Sequence, residues 1–260
     1  MLPTEESDGV IMGKLTGKYA VVTGAGKGIG RAIATRFLED DVAGVALFDM
    51  DEVLVNTTAK ELDPTGKKVL AVKCDVSNQE NVNAAFAQVN AQFGRVDILV
   101  NNAGITRDAM FHKMTIAQAM QVMNVHFYGT FYCCQAVIGG MRERNYGKIV
   151  NISSVSAFGS VGQTNYSAAK SAIDGFTRSL AMESARKNIT VNAIAPGMVN
   201  TDILKTIPAD ILEQKIKNTP AQRLADPAEI ASVAAFLASD DSSWVTGNCI
   251  LACGGQKMRG

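Results

Sequence analysis

The stretch that decides the fold is Tyr19-Ala20-Val21-Val22-Thr23-Gly24-Ala25-Gly26-Lys27-Gly28-Ile29-Gly30. A β-rich apolar run passes into four alternating glycines, and a helical pattern over 28–39 begins inside the glycine string. Glycines so spaced permit a tight strand-to-helix turn. They also let the backbone approach a pyrophosphate, which would rest on the N-terminus of the helix. Working outward, β-rich runs recur at 42–49, 68–75, 96–101, 147–153 and 190–195, with a short one at 248–251. Helical patterns lie between them at 52–62, 79–93, 117–142, 167–185 and 227–238. Alternation of this kind predicts βαβ units and a parallel sheet. The strand runs are nearly continuous in apolar residues, so helices are expected on both faces.

The 260 residues are 47% hydrophobic and 19% charged, the composition of a folded globular chain. They predict a single α/β domain, a doubly wound parallel sheet of the Rossmann type, over 15–260, after a flexible leader at 1–14. A less regular segment at about 200–220, bracketed by Pro208 and Pro220, reads as a small substrate lid. Twenty-five basic residues balance 25 acidic ones, which leaves no electrostatic footprint for nucleic acid. Five cysteines (Cys74, Cys133, Cys134, Cys249, Cys253) and two histidines (His112, His126) lack metal-ligand spacing, so no metal site is expected. Buried thiols of a reducing compartment are the expectation. The first residues carry no apolar signal core, and no apolar run is long enough for a membrane span. A cytoplasmic protein is expected.

The carboxyl ends of the strand runs carry Gly24, Asp49, Asp75, Asn101, Ser153, Ser154 and Pro196, where open α/β sheets bind ligands. Asp49 follows Gly30 by nineteen residues. A carboxylate there accepts hydrogen bonds from a ribose 2′-hydroxyl and repels a 2′-phosphate, which favours NAD(H). Lys27 argues the other way, since a cation in the turn could meet a 2′-phosphate. Asp49 weighs more because Lys27 can turn to solvent, and NADP(H) stays open.

Tyr166-Ser167-Ala168-Ala169-Lys170 sets Tyr and Lys at i and i+4, on one helix face. A tyrosine ordinarily titrates near pH ~10. A neighbouring ammonium favours the phenolate and brings that proton into play nearer neutrality. A serine at the end of the 147–153 run could hydrogen-bond a substrate oxygen.

These motifs, TGAGKGIG, NNAG at 101–104, ISS with YSAAK, and PGMVNTD at 196–202, resemble the classical short-chain dehydrogenase/reductase family from about Lys14 to Gly255. The resemblance implies a hydride exchanged between a nicotinamide and a carbonyl/alcohol pair. It makes Tyr166 the general acid/base, Lys170 the residue that binds the nicotinamide ribose and lowers the tyrosine pKa, and a serine the carbonyl-orienting group. It places Asn102, Ala103 and Gly104 beside the adenine ribose and Asp75 with Val76 against the adenine. Gly24, Gly26, Lys27, Gly28, Ile29 and Gly30 form the cofactor turn. Pro196, Gly197, Val199 and Thr201 lie along the nicotinamide, with Thr201 holding its carboxamide.

The sequence departs from the family pattern in places. Counting along the strand gives Ser154 the family serine position, while counting back from Tyr166 gives Ser153; strand register favours Ser154. His126 stands where the family usually has the asparagine that holds a water on the proton relay, and a histidine can do the same. Cys253 stands where an aspartate is usual.

The string NNAGITRDAM and the region GQTNYSAAK are most similar to 3-oxoacyl reductases acting on acyl-carrier-protein or coenzyme A thioesters. Those enzymes mostly use NADPH, with which Asp49 disagrees. Arg107, Arg142, Arg144, Arg186 and Lys187 could greet an acidic carrier protein or form a solvated face. An NAD-dependent dehydrogenase of steroid, diol or other secondary alcohols is the alternative, since Ile203, Leu204, Ile207, Ile211 and Leu212 in the lid suit an apolar substrate. A nucleotide-sensing protein without turnover is a remote third, opposed by the intact Tyr–Lys pair. The family resemblance also implies a homotetramer, joined mainly through the 117–142 and 167–185 helices.

Overall fold

Successive side chains on a strand leave the sheet in opposite directions, and here both directions are apolar. In the computed structural model, which describes residues 13–202, 204 and 209–258, strand β1 (Tyr19–Thr23) sends Ala20 and Val22 to one layer and Val21 to the other. The strands β2 (Gly44–Asp49), β3 (Val69–Lys73), β4 (Ile98–Asn101), β5 (Gly147–Ile152), β6 (Ile189–Pro196) and β7 (Cys249–Ala252) join it in one sheet of order β3-β2-β1-β4-β5-β6-β7. Every pairing is parallel.

Helices α1 (Gly28–Glu39), α2 (Glu52–Leu62) and α8 (Pro227–Ala238) cover one face, packing Ile33, Phe37, Val55 and Ile230 on Val22, Ile98, Val150 and Ile194. On the other face α3 (Gln79–Phe93), α5 (Gly129–Arg144) and α6 (Thr164–Ser184) bring Val82, Phe86, Val137, Met141 and Ala181 against Val21, Phe48, Leu99 and Val191. Helix α4 (Ile116–Met123) leads into α5, and α7 (Ala209–Lys217) lies in the region expected to be a lid. Ile203 and Ile207 of that lid, and residues 1–12 of the leader, lie outside the described residues.

The sequence pattern predicts one helix over 117–142. Instead α4 and α5 are separated by a π turn, Asn124–Tyr128. The apolar pattern gives no warning, because neither proline nor glycine interrupts it before Gly129. A π turn inserts one extra residue and so rotates the register between the two helices. His126 is thereby turned fully inside, with 2% of its surface exposed.

The strand order reverses at β1, between β2 and β4, which opens a crevice at their carboxyl ends. Thr23 closes its floor. Its buried hydroxyl accepts from the backbone N–H groups of Asn102 and Ala103, each at 3.0 Å. The Asn102 amide donates back to the carbonyls of Thr23 (2.9 Å) and Gly24 (3.0 Å). Thr23→Val keeps the shape and removes the acceptor from two N–H groups, so it should lower stability in urea denaturation by about 1–3 kcal/mol. A loss within a few tenths of a kcal/mol would mean that the link does not hold the crevice.

Candidate active site

The glycine turn is tight because its atoms leave no alternative. A side chain at Gly30 would run into the carbonyl of Gly24 and come within 2.6 Å of the Asn102 amide. The buried Thr58 hydroxyl donates to the Gly26 carbonyl at 2.7 Å and fixes the turn from α2. No side chain caps α1 at Lys27, so the N–H groups of its first turn face the crevice with the positive end of the helix dipole. Asp49 closes the other side. One carboxylate oxygen accepts from the Gly26 N–H at 2.9 Å, and the second accepts from the Asp51 N–H at 3.1 Å. Each oxygen keeps a lone pair for a ribose hydroxyl.

These residues fit a nicotinamide dinucleotide: uncapped helix N–H groups for the pyrophosphate and a fixed carboxylate for the ribose. Lys27 does not turn toward Asp49. Its ammonium lies 3.6 Å from the Asp202 carboxylate, across the crevice mouth. Thr201 sits beside that pair, its methyl 3.5 Å from where a side chain on Gly28 would begin. Asp75 spends one oxygen on the Ser77 N–H (2.9 Å) and hydroxyl (2.7 Å), leaving the other open. Val76 is buried against Gly129 rather than presented to solvent. Asn102, expected beside the ribose, commits its amide to the turn, and Ala103 its N–H to the Thr23 hydroxyl. Pro196 ends β6, the Gly197 N–H donates to the Ala252 carbonyl at 3.1 Å, and buried Val199 bridges to Ala225.

Tyr166 and Lys170 stand on α6 at the carboxyl end of β5. The adjacent serines face different ways. Ser153 is buried and donates to the Lys170 carbonyl at 3.4 Å, while its own N–H extends the β5–β6 ladder to Ile194. Ser154 is the one that acts on the Tyr166 phenol, lowering its pKa. Its oxygen also accepts from the Ser156 N–H at 3.1 Å, which leaves the hydroxyl proton free to point into the site.

Lys170 is 3% exposed, with its ammonium on the Ile152 carbonyl at 2.5 Å and 5.5 Å from the Tyr166 ring centroid. Burial pulls its pKa down to about 7, against the opposing charge of Asp174. Lys170 is not among the groups that shift the Tyr166 pKa. Burial raises Tyr166 above the ordinary tyrosine value, the Ser154 hydrogen bond works against that, and Asp108 adds to it. A buried phenol and a buried amine both favour their neutral forms.

His126 packs its ring edge-to-face on Tyr166, with centroids 5.1 Å apart. A side chain on Gly104 would collide with that ring. Its Nε2 faces both polar groups of one residue, the Ile105 N–H at 3.1 Å and the Ile105 carbonyl at 2.8 Å, while Nδ1 is buried without a partner. Burial, then the nearby charge of Lys170, pushes its pKa down to about 3, with the Ile105 hydrogen bond opposing. The ring is therefore neutral at working pH. One nitrogen can accept from the N–H or donate to the carbonyl, according to the tautomer.

The residue list read from the sequence misses several members of the site. The exposed Asp108 accepts from Gln163 Nε2 at 2.9 Å, and Gln163 in turn accepts from the Ser156 hydroxyl at 3.2 Å, which ties three loops around Tyr166. Asn101 donates to Asn151 (2.8 Å), and Asn151 to Thr177 (2.9 Å), in a buried chain across the strand ends. Of these only Asn101 and Asn151 carry a signal in the sequence, their place at the ends of β4 and β5. Cys253, where an aspartate is usual, lies 3.4 Å from both the N–H and the carbonyl of Lys257 and so pins the chain after β7.

The basic residues are not gathered at the crevice. Arg142 and Arg144 end α5 and Arg186 and Lys187 follow α6, just before β5 and β6 begin. That is the opposite edge of the sheet, because the helices run against the strands. Arg142 and Arg144 hydrogen-bond the carbonyls of Glu183 (3.1 Å) and Val96 (2.6 Å). Arg107 alone of the five stands on the loop after β4, at the crevice edge.

A family model described as enoyl-(acyl carrier protein) reductase matches residues 24–257. Among similar proteins, the acetoacetyl-CoA reductase of Shinella zoogloeoides is 44% identical over 241 residues, 92% of this chain and 98% of that protein. The 3-oxoacyl-[acyl-carrier-protein] reductase FabG of Chlamydia muridarum is 41% identical over 243 residues, 93% and 98% of the two chains. The (2S)-[(R)-hydroxy(phenyl)methyl]succinyl-CoA dehydrogenase subunit BbsD of Thauera aromatica is 40% identical over 241 residues, 93% and 97%.

The burial of His126 has a measurable consequence. Its native pKa of about 3 lies below the ordinary 6.5. Above pH ~6.5 both states are neutral and nothing is lost; as pH falls from 6.5 toward 3 only the unfolded chain takes up the proton, so stability falls through that window. His126→Asn should lack this share. The change in unfolding free energy between pH 7 and pH 5 should be smaller in the variant by about 2 kcal/mol. Equal changes in the two proteins would show that His126 is not held neutral.

Proposed function

Because the chain belongs to the short-chain dehydrogenase/reductase family, we propose that it reduces the 3-oxo group of an acyl thioester to the 3-hydroxy product with NADH. The observation that carries this reading is Tyr166 set beside the buried ammonium of Lys170, 5.5 Å from its ring, with Ser154 acting on its phenol. The names of the relatives support the thioester substrate. Asp49 supports NADH: a carboxylate fixed by two backbone N–H groups cannot swing away from a 2′-phosphate, and desolvating that pair of like charges is costly. Lys27 lies 3.6 Å from Asp202 rather than beside Asp49.

The cofactor, when bound, supplies the hydride to the carbonyl carbon. The residues of the chain handle the proton and the geometry. The Ser154 and Tyr166 hydroxyls converge on the carbonyl oxygen and orient it. Tyr166 gives its proton to that oxygen as negative charge develops, and the ammonium of Lys170 stabilises the phenolate left behind. Ser153 has no part in the chemistry. His126 fits a place on the proton relay: its ring stays neutral with Nε2 on Ile105, and its unpartnered Nδ1 can hydrogen-bond a water that passes a proton to Tyr166. Self-association is part of the same reading. Ile116, Met120, Tyr128 and Phe131 leave an exposed apolar strip along α4 and α5, which suits a homotetramer. Among the described residues no helix is long and apolar enough to cross a membrane, and the five buried cysteines, which form no disulfide, suit a reducing cytoplasm. The apolar residues of α7 keep a secondary-alcohol dehydrogenase as the second reading.

The first test is NADH or NADPH consumption at 340 nm with acetoacetyl-CoA. NADH should support the higher kcat/KM, Tyr166→Phe should lose at least about a hundredfold, and Ser154→Ala should lose far more than Ser153→Ala. A strong preference for NADPH would overturn the reading of Asp49. Oxidation of NADH only with steroid or diol ketones would leave the family and move the substrate. His126→Ala should lower turnover in a pH-dependent way, and unchanged turnover across pH would remove the relay.

A further inference from the structure

Tyr166, Lys170 and Asp174 recur at four-residue intervals along one face of α6, where Tyr166 is half-buried and Lys170 and Asp174 are buried. Asp174 is only 7% exposed and its Oδ1 is buried without a hydrogen-bond partner. Among the described residues it forms no ion pair, and Arg178, the next cationic position along the helix, is exposed. A buried carboxylate is tolerated when an opposite charge compensates it. The buried cation nearest in the chain is Lys170, one turn away.

We propose that Asp174 is a positioning residue that keeps Lys170 in its ammonium form beneath the catalytic tyrosine. This rests on the reading of Tyr166 and Lys170 as the proton-handling pair.

The surroundings of Lys170 give it little else. From α6 itself Tyr166 faces it; from the π turn comes His126, which is neutral, while Tyr128 of that turn is exposed. Strand β6, helix α4 and the short turn Val155–Phe158, all packed on α6, bring no titratable side chain. The Ile152 carbonyl accepts one N–H and carries no charge. Burial alone draws the lysine toward the neutral amine, and Asp174 is the charge that opposes it. With the amine neutral, the phenolate of Tyr166 would have no cation beside it, and turnover would fall as the lysine loses its proton.

Two measurements test this on the full-length protein. In the first, kcat/KM for acetoacetyl-CoA and NADH is followed against pH. Asp174→Asn should move the alkaline limb down by about one pH unit and stay within about twofold of wild type at the acid end. In the second, melting temperatures are compared for wild type, Asp174→Asn, Lys170→Met and the double variant. Lys170→Met alone strands a buried carboxylate and should melt lowest, and adding Asp174→Asn should restore part of the loss. Should Asp174→Asn fail to fold alone, regained folding in the double variant supports the pair. A pH profile that superimposes on wild type or falls equally at every pH would overturn the proposal, as would melting changes that add. Absent turnover in wild type would instead remove the functional reading, and the melting cycle would still decide the pairing.

Discussion

An ammonium placed in the dry interior at the carboxyl edge of a parallel sheet constrains everything around it. Lys170 is held there by one carbonyl and covered by α6, the π turn and the end of β5. Burial penalises each charged form in turn, so His126 stays neutral, Tyr166 stays protonated and Lys170 is brought close to neutral pH. The site thus begins with its reactive proton on the tyrosine and its charge balanced narrowly. A charge-developing reaction can use that balance, since small changes in local charge move the proton.

The second constraint is geometric. A twisted parallel sheet leaves its crevice where strand order reverses, and the chain fits that crevice with the glycine turn, the uncapped start of α1 and the carboxylate of Asp49. Thr23, Thr58 and Asn102 are the struts: each spends its polar atoms on backbone groups of the turn and so fixes a loop that would otherwise lose order. Gly104 is small because the His126 ring fills the space its side chain would take. The turn beneath one end of the crevice and the His126 ring at the other are therefore linked through the single segment Asn101–Gly104.

Much of this could be read in the sequence, for identifiable reasons. Glycine spacing, apolar strand runs and capping residues are local signals, and the bounds of α1, α2, α3 and α8 follow from them. The Tyr–Lys pair was visible because a helix brings i and i+4 together. The π turn was hidden because it changes the register of an apolar helix without changing its composition. Ser153 and Ser154 are adjacent hydroxyls that only the pairing of β5 with β6 can tell apart. The basic residues carry a signal of their own: a helix that runs back along a parallel strand ends at the far edge, so the position of Arg142, Arg144, Arg186 and Lys187 just before a strand puts them away from the crevice. Asp174 had the same kind of signal, a lone acid on a buried stripe.

Burial more than any standing charge sets the resting state of Tyr166. Phenolate absorbance near 295 nm reports that state, and subtracting the titration of Tyr166→Phe from that of the wild type isolates the one residue. In the cofactor-free protein the difference should stay flat as pH is raised and appear only above the ordinary tyrosine range, at pH above ~10. A difference signal that titrates below pH ~8 would contradict the account, because Tyr166 would then already be activated in the empty site.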